Sequence, residues 1–166
     1  MRISIIGSFR KHFSEILILR EQLLRHGHTV TSPIGNEILK PGVDFVRFDS
    51  DDAYRTDAHV QTIAMHRILS ADFCYVCCVD QYVGRTTCYE IGRIIQARRP
   101  LYFSERPDDL PVDLHDDHII PRQLLGATCS EPSFSPKQAR FQGSPQYVEF
   151  ELDILNGNFR DESQLR

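Results

Sequence analysis

The stretch Asp72-Phe73-Cys74-Tyr75-Val76-Cys77-Cys78-Val79 (DFCYVCCV) carries the strongest fold signal in the chain. It is an almost unbroken apolar run of strand length. A strand with one wet face alternates apolar and polar residues, so a continuous run marks a central parallel strand covered on both faces. Asp80 stands at its C-terminal end. Downstream, Gln81 to Thr87 is a turn with Gly84 and two threonines, Thr86 and Thr87, either of which suits a helix cap. A helix is predicted over about Cys88 to Ala97, burying Cys88, Ile91 and Ile95. Arg98-Arg99-Pro100 ends it, and Leu101 to Phe103 follows as a short strand. Upstream, Asp57 to Ser70 reads as a helix with Val60, Ile63, Ala64, Ile68 and Leu69 on its apolar face.

Further out, Arg2 to Ile6 (RISII) is a β-branched run stopped by Gly7-Ser8. His12 to His26 has Phe13, Ile16, Leu17, Leu23 and Leu24 at helical spacing, with Gly27 as its stop. His28 to Ser32 is a second strand, closed by Pro33. Strand, turn, helix, strand is a βαβ unit, which implies parallel neighbours and a right-handed crossover. Ile34 to Tyr54 reads as a long loop with one helical turn at most. After Ser104 the pattern loosens between prolines 107, 111, 121, 132, 136 and 145. Leu114 to Leu125 fits a short strand or helical turn, and Ala127 to Ser144 an exposed, partly mobile loop. Gln146 to Phe159 is expected as a final helix with Val148, Leu152 and Leu155 inward. The expectation is one α/β domain over 1–166, a doubly wound parallel sheet of about five strands flanked by helices. Its core covers about 1–104, and a loop-rich extension covers about 105–166.

The chain has 166 residues, enough for a core of its own, with 41% hydrophobic and 25% charged residues. Its net charge is -4, from 23 acidic and 19 basic residues, which speaks against nucleic acid as a partner. No apolar run spans a membrane, and Met1-Arg2 does not open a signal-peptide pattern. The five cysteines, Cys74, Cys77, Cys78, Cys88 and Cys129, are odd in number and clustered. They read as small buried hydrophobes in a reducing cytoplasm, not as a disulfide framework or zinc site.

In an open parallel sheet, ligands bind beyond the C-terminal ends of the strands near the switch in strand order. Two segments qualify, Gly7-Ser8-Phe9-Arg10 and Asp80 through Glu90. Both lead into helix N-termini, whose free amides and positive field suit an anion, so Ser8 and Arg10 are candidates to hold one. Neither G-x-G-x-x-G nor a Walker motif is present, so dinucleotide binding of the standard kind and P-loop hydrolysis are not supported. Glu90, near a helix start, is expected to be kept ionised by the dipole, as a nucleophile requires. Asp80, ten residues earlier, is placed as its acid partner on the same rim. Two carboxylates converging on a sugar is the arrangement that breaks glycosidic bonds.

Gly7-Ser8-Phe9-Arg10, Ala71-Asp72, the run Tyr82-Val83-Gly84-Arg85-Thr86-Thr87-Cys88-Tyr89-Glu90-Ile91-Gly92 and Arg99-Pro100-Leu101-Tyr102 together resemble the nucleoside 2-deoxyribosyltransferase superfamily. That group includes the nucleoside 5'-monophosphate N-glycosidases. The resemblance covers about residues 2 to 104 and is most specific over G-x-[ST]-T-x-x-E-I-G. It implies a flavodoxin-like sheet, Glu90 as nucleophile of a glycosyl-enzyme intermediate, and nearby acids that orient the sugar or protonate the base. Asp80 is the better placed of these; Asp72 opens the strand at the opposite edge and reads as structural. The resemblance also implies that the turn Gly7, Ser8, Phe9 and Arg10 contacts a phosphate, with Gly84, Thr86 and Thr87 completing the substrate contacts. Arg85 stands where the transferases carry an acid, which points away from simple deoxyribosyl transfer. The extension has no counterpart. Relatives often complete a site with a neighbour's C-terminal region, which implies at least a homodimer. No metal or other cofactor is implied.

Other constellations are weaker. His115-Asp116-Asp117-His118 reads as a solvated polar turn, and Asp44, Asp49, Asp51 and Asp52 as a solvated loop, with a cation site or a lid as the alternatives. His26 and His28 bracket a helix stop and fit dipole complementation. Cys88 reads as packing. The functional expectation is cleavage or transfer of the N-glycosidic bond of a nucleoside or nucleoside 5'-monophosphate. The alternatives are a non-catalytic nucleotide-binding module and an NAD-type glycohydrolase.

Overall fold

The computed structural model describes residues 1–35, 37–39 and 46–164. Four strands, β1 (Arg2–Gly7), β2 (Thr29–Ser32), β3 (Phe73–Cys77) and β4 (Leu101–Phe103), form one sheet in the order β2-β1-β3-β4. Every neighbouring pair is parallel. The five helices are α1 (Phe9–Arg25), α2 (Asp57–Leu69), α3 (Arg85–Gln96), α4 (Arg122–Ser130) and α5 (Pro145–Asn156). Helices on both faces make the fold doubly wound, in the Rossmann-like manner.

β3 shows why its sequence is apolar throughout. Phe73, Tyr75 and Cys77 point to one face and pack with Ile16, Leu19 and Leu23 of α1 and Leu125 and Cys129 of α4. Cys74 and Val76, with Cys78 just beyond the strand, point to the other, against Met65 and Ile68 of α2 and Ile91, Ile94 and Ile95 of α3. The two-residue period of the strand thus feeds two separate cores. All five cysteines are free thiols, and burial pushes Cys74 and Cys78 up to about 12.

The described residues form four strands where about five were expected. The place beyond β4 holds a single parallel bridge, Phe103 to Ile119, with the Ile120 amide donating to the Phe103 carbonyl at 2.9 Å. A 3-10 turn over Asp116–His118 precedes it and Pro121 follows, leaving two extended residues. Proline has no N–H to continue a ladder.

The extension is more ordered than its composition suggests. Where an exposed loop was expected from Ala127, α4 buries Cys129, and Phe134 packs edge-on against Phe73 with ring centroids 5.8 Å apart. His118 is 0% exposed, not part of a solvated turn. Its Nε2 accepts from the Arg140 amide at 3.0 Å, so the proton sits on Nδ1, which donates to the Leu101 carbonyl at 2.8 Å. Burial lowers its pKa and keeps it neutral. In α5, Val148 and Leu155 pack on the core, but Leu152, expected inward, is 47% exposed. Asp72 is structural as read: its carboxylate accepts from the Arg2 amide at 2.7 Å, at the opposite edge of the sheet.

Candidate functional site

The order β2-β1-β3-β4 reverses between β1 and β3, and both of their C-terminal turns open into one cleft of about 330 Å³. That is within the size range of small-molecule sites. Gly7, Ser8, Phe9 and Arg10 form one side, and Gly84, Thr86, Thr87 and Glu90 lie on another. Eight of the nine residues singled out from the sequence therefore meet in one place.

Gly7 is required by packing. A Cβ there would lie 2.7 Å from the Cys77 carbonyl oxygen, so only glycine lets β1 run this close to β3. Ser8 caps α1 through its carbonyl, which accepts from the amides of Lys11 at 3.0 Å and His12 at 2.8 Å. Its hydroxyl makes no capping bond. The helix begins at Phe9, one turn before the expected start, and a kink at His12 (φ -127, ψ 34) separates this first turn from the rest. Arg10 is exposed at the lip of the cleft.

Glu90 follows from helix periodicity. Thr87, Glu90, Ile91, Ile94 and Ile95 fall on one face of α3 and are buried, so the carboxylate sits in an otherwise apolar stripe. It is 7% exposed. The expectation of a dipole-ionised carboxylate is corrected here. α3 starts at Arg85 with Gly84 as its cap, so Glu90 is the sixth helical residue, past the turn where the dipole acts. Burial instead pushes its carboxyl up to about 7, and a hydrogen bond from Gln61 Nε2 to Oε1 at 3.3 Å works in the opposite direction. The same earlier start places Thr86 and Thr87 inside the first turn of α3, not at its cap.

Asp80 does not join Glu90. It is exposed and is not among the described residues that line the cleft. Asp80 and Gln81 both have positive φ (53 and 58), the signature of a two-residue reverse turn. The Tyr82 amide closes that turn on the Val79 carbonyl at 3.2 Å. The chain doubles back immediately after β3 and leaves the Asp80 carboxylate on the outside.

Several lining residues were not singled out from sequence. Val60, Gln61, Ala64 and Ile68 of α2 form a wall, with Arg67 beside them. Gln61 shares helical spacing with Ala64 and Ile68, and a polar residue in an apolar stripe was a readable signal. Phe48 packs on Phe9 with centroids 5.2 Å apart, and Asp51 accepts from the Phe48 amide at 2.9 Å. Both line the cleft, so this part of the acidic loop contributes to its wall. Asp44 lies outside the described residues. No periodicity pointed to Phe48, because loop residues have none, and Asp51 was read only as part of the acidic loop. Tyr82 also lines the cleft, with Lys11 Nζ 3.5 Å from its ring centroid.

Chemically, the cleft offers an aromatic and aliphatic wall for a flat apolar group, one buried carboxylate, and hydroxyl and arginine side chains for polar ends. Among the described residues no cluster of three or more potential ligands could hold a metal ion. No described helix is long and apolar enough to cross a membrane. No family model matches the chain, and no curated protein matches it. The crystal structure of a conserved protein from Enterococcus faecalis V583 is similar to it at 12% identity, over 94% of this chain and 95% of that one, with a TM-score of 0.45.

Proposed function

We propose that the protein breaks the N-glycosidic bond of a nucleoside or nucleoside 5'-monophosphate through a covalent glycosyl-Glu90 intermediate. The observation that carries this reading is the placement of Glu90, a buried carboxylate in the cleft at the switch point between β1 and β3. In the first step a Glu90 oxygen bonds to C1' while the C1'–N bond breaks. The bonding pair leaves with the base, which takes up one proton. In the second step water, or the nitrogen of another base, displaces Glu90 and loses a proton. Burial assists the attack, because a carboxylate stripped of water gains more from meeting the positive charge that develops on the sugar. The other carboxylate that the described lining offers is Asp51, which takes the place expected for Asp80 as the group managing the leaving base's proton. Phe9, Phe48 and Tyr82 supply faces on which a base stacks.

The test is incubation with a panel of ribo- and deoxyribonucleosides and their 5'-monophosphates, with and without a second free base, read by chromatography. Base release that disappears in Glu90→Ala supports the reading, and a trapped sugar adduct on the Glu90 peptide by mass spectrometry completes it. Turnover of none of these substrates leaves the binding module as the better reading.

A further inference from the structure

The chain that leaves β4 turns back across the C-terminal end of β3 and grips the turn that leads to Glu90. The Cys78 amide donates to the Ser104 hydroxyl at 2.9 Å. The Gln81 amide donates to Glu105 Oε1 at 2.7 Å, and the Asp108 amide to the Gln81 carbonyl at 2.8 Å. Asp109 is exposed and is not among the described residues that line the cleft, but it bonds two residues that do. Its Oδ1 accepts from the Val83 amide at 2.9 Å and its Oδ2 from the Gly84 amide at 2.8 Å. Its backbone carbonyl accepts from the Cys88 thiol at 3.5 Å. Val83 and Gly84 line the cleft, and Gly84 caps α3. Arg106, the basic residue of this segment, is turned away to Asp113 and Asp116.

These contacts put a carboxylate of the protein itself at the N-terminal end of α3, bonded to two residues that line the cleft. Two amides that would serve a bound anion are already used, both by acceptor oxygens. A second anion placed beside Asp109 would meet like charge in a partly buried setting, where repulsion is stronger than in water.

We infer that Asp109 is a specificity-determining residue. It keeps anionic groups away from the α3 end of the cleft and reserves Thr86 and Thr87 for an uncharged part of the substrate, of the sugar-hydroxyl class. A phosphate, when the substrate carries one, is then left to the Ser8–Arg10 end. The inference rests on reading this cleft as the substrate site, but it does not depend on turnover.

Inorganic phosphate is the probe, titrated into the wild-type chain, Asp109→Asn and Asp109→Ala while amide resonances are followed by NMR. In the wild type the Val83, Gly84 and Thr86 amides are expected to stay in place at millimolar phosphate. In both variants they should move, with apparent affinity at that end tighter by about tenfold or more. Asp109→Asn keeps the size of the side chain, so it covers the case in which alanine unfolds the turn. Equal shifts in wild type and variants overturn the inference, as does a folded Asp109→Asn variant whose α3 amides ignore phosphate. Failure of the glycosidase reading is separable: a chain that releases no base yet shows the predicted titration loses the reaction and keeps the role of Asp109.

Discussion

The β1–α1 and β3–α3 turns do the same architectural job by different means. Each follows a parallel strand at the switch point, enters a helix and lines the cleft. The first is capped locally, by the Ser8 carbonyl, while Gly7 fits under the Cys77 carbonyl of the neighbouring strand. The second is held from a distance: Gln81, Val83 and Gly84 are bonded by carboxylates 24 to 26 residues later in the chain. Glu90, the proposed nucleophile, follows the turn that depends on the rest of the molecule. The first turn is fixed by its own backbone cap and by sheet packing, whereas the second is only as rigid as the segment that clamps it.

The largest effect should come from the second turn's helix. Glu90→Ala is expected to lower kcat by about 10^4-fold while ligand affinity is retained, checked by single-turnover kinetics beside a binding titration. Retained turnover would strip the β3–α3 side of its special role.

Glu90→Gln should separate function from stability. The Glu90 carboxyl titrates near 7 in the fold against an ordinary value near 4.5, because burial disfavours the charge. The folded state therefore holds more protons than the unfolded state between those values, and stability falls as pH rises through them. The penalty is complete above pH 7 and is of order 3 kcal/mol. Glutamine removes it, so the variant should melt higher than wild type at pH 8 and lose that slope, measured by thermal unfolding across pH. The same titration predicts that wild-type kcat/KM rises with pH and levels off above about 7, since the attacking form is the carboxylate. A flat profile from pH 5 to 8 would contradict it.

Gly7→Ala probes the first turn. The added Cβ meets a backbone oxygen at 2.7 Å, which neither strand can yield without losing register. A loss of about 2–3 kcal/mol is expected by denaturant unfolding. Gly27→Ala has open space around it and only a positive φ to overcome, so its cost should be smaller, about 1 kcal/mol. Equal costs would mean that the strand approach at Gly7 is not what demands glycine.

The smallest effect is expected at Gln61. Gln61→Leu removes the hydrogen bond that favours the charged form of Glu90, so the acid limb of the pH–rate profile should move to higher pH. At pH 7 this amounts to a drop of about tenfold in kcat/KM, with the alkaline plateau little changed. A uniform loss at all pH values would make Gln61 a packing residue instead.

Most of the sheet was legible because strand and helix periods are local properties. The run at 72–79, the glycine stops and the apolar stripes of α1, α2 and α3 needed no partner to be read. Glu90 was legible from its place near a helix start and from the G-x-[ST]-T-x-x-E-I-G run, but its burial on the apolar face of α3 was not. Asp80 misled because sequence distance from Glu90 says nothing about a reverse turn made of two non-glycine residues at positive φ. Phe48 was missed because a loop has no repeating pattern, and Asp51 was read only as one of several acids in that loop. Residues 127–144 were read as an exposed loop because proline and polar residues conceal single anchors such as Phe134 and Phe141, as they do the buried His118 in its polar turn.

The sequence by itself determined the alternating α/β order, the two-faced burial of β3 and the pair of turns that would meet at the switch point. Those follow from backbone periodicity and from where glycine and proline permit the chain to stop. Only the tertiary structure decided the protonation balance of Glu90, the exclusion of Asp80 and the hold of Asp109 on the β3–α3 turn. Each of these depends on which groups remote in sequence displace water from one another, and desolvation and hydrogen bonding are properties of the assembled site.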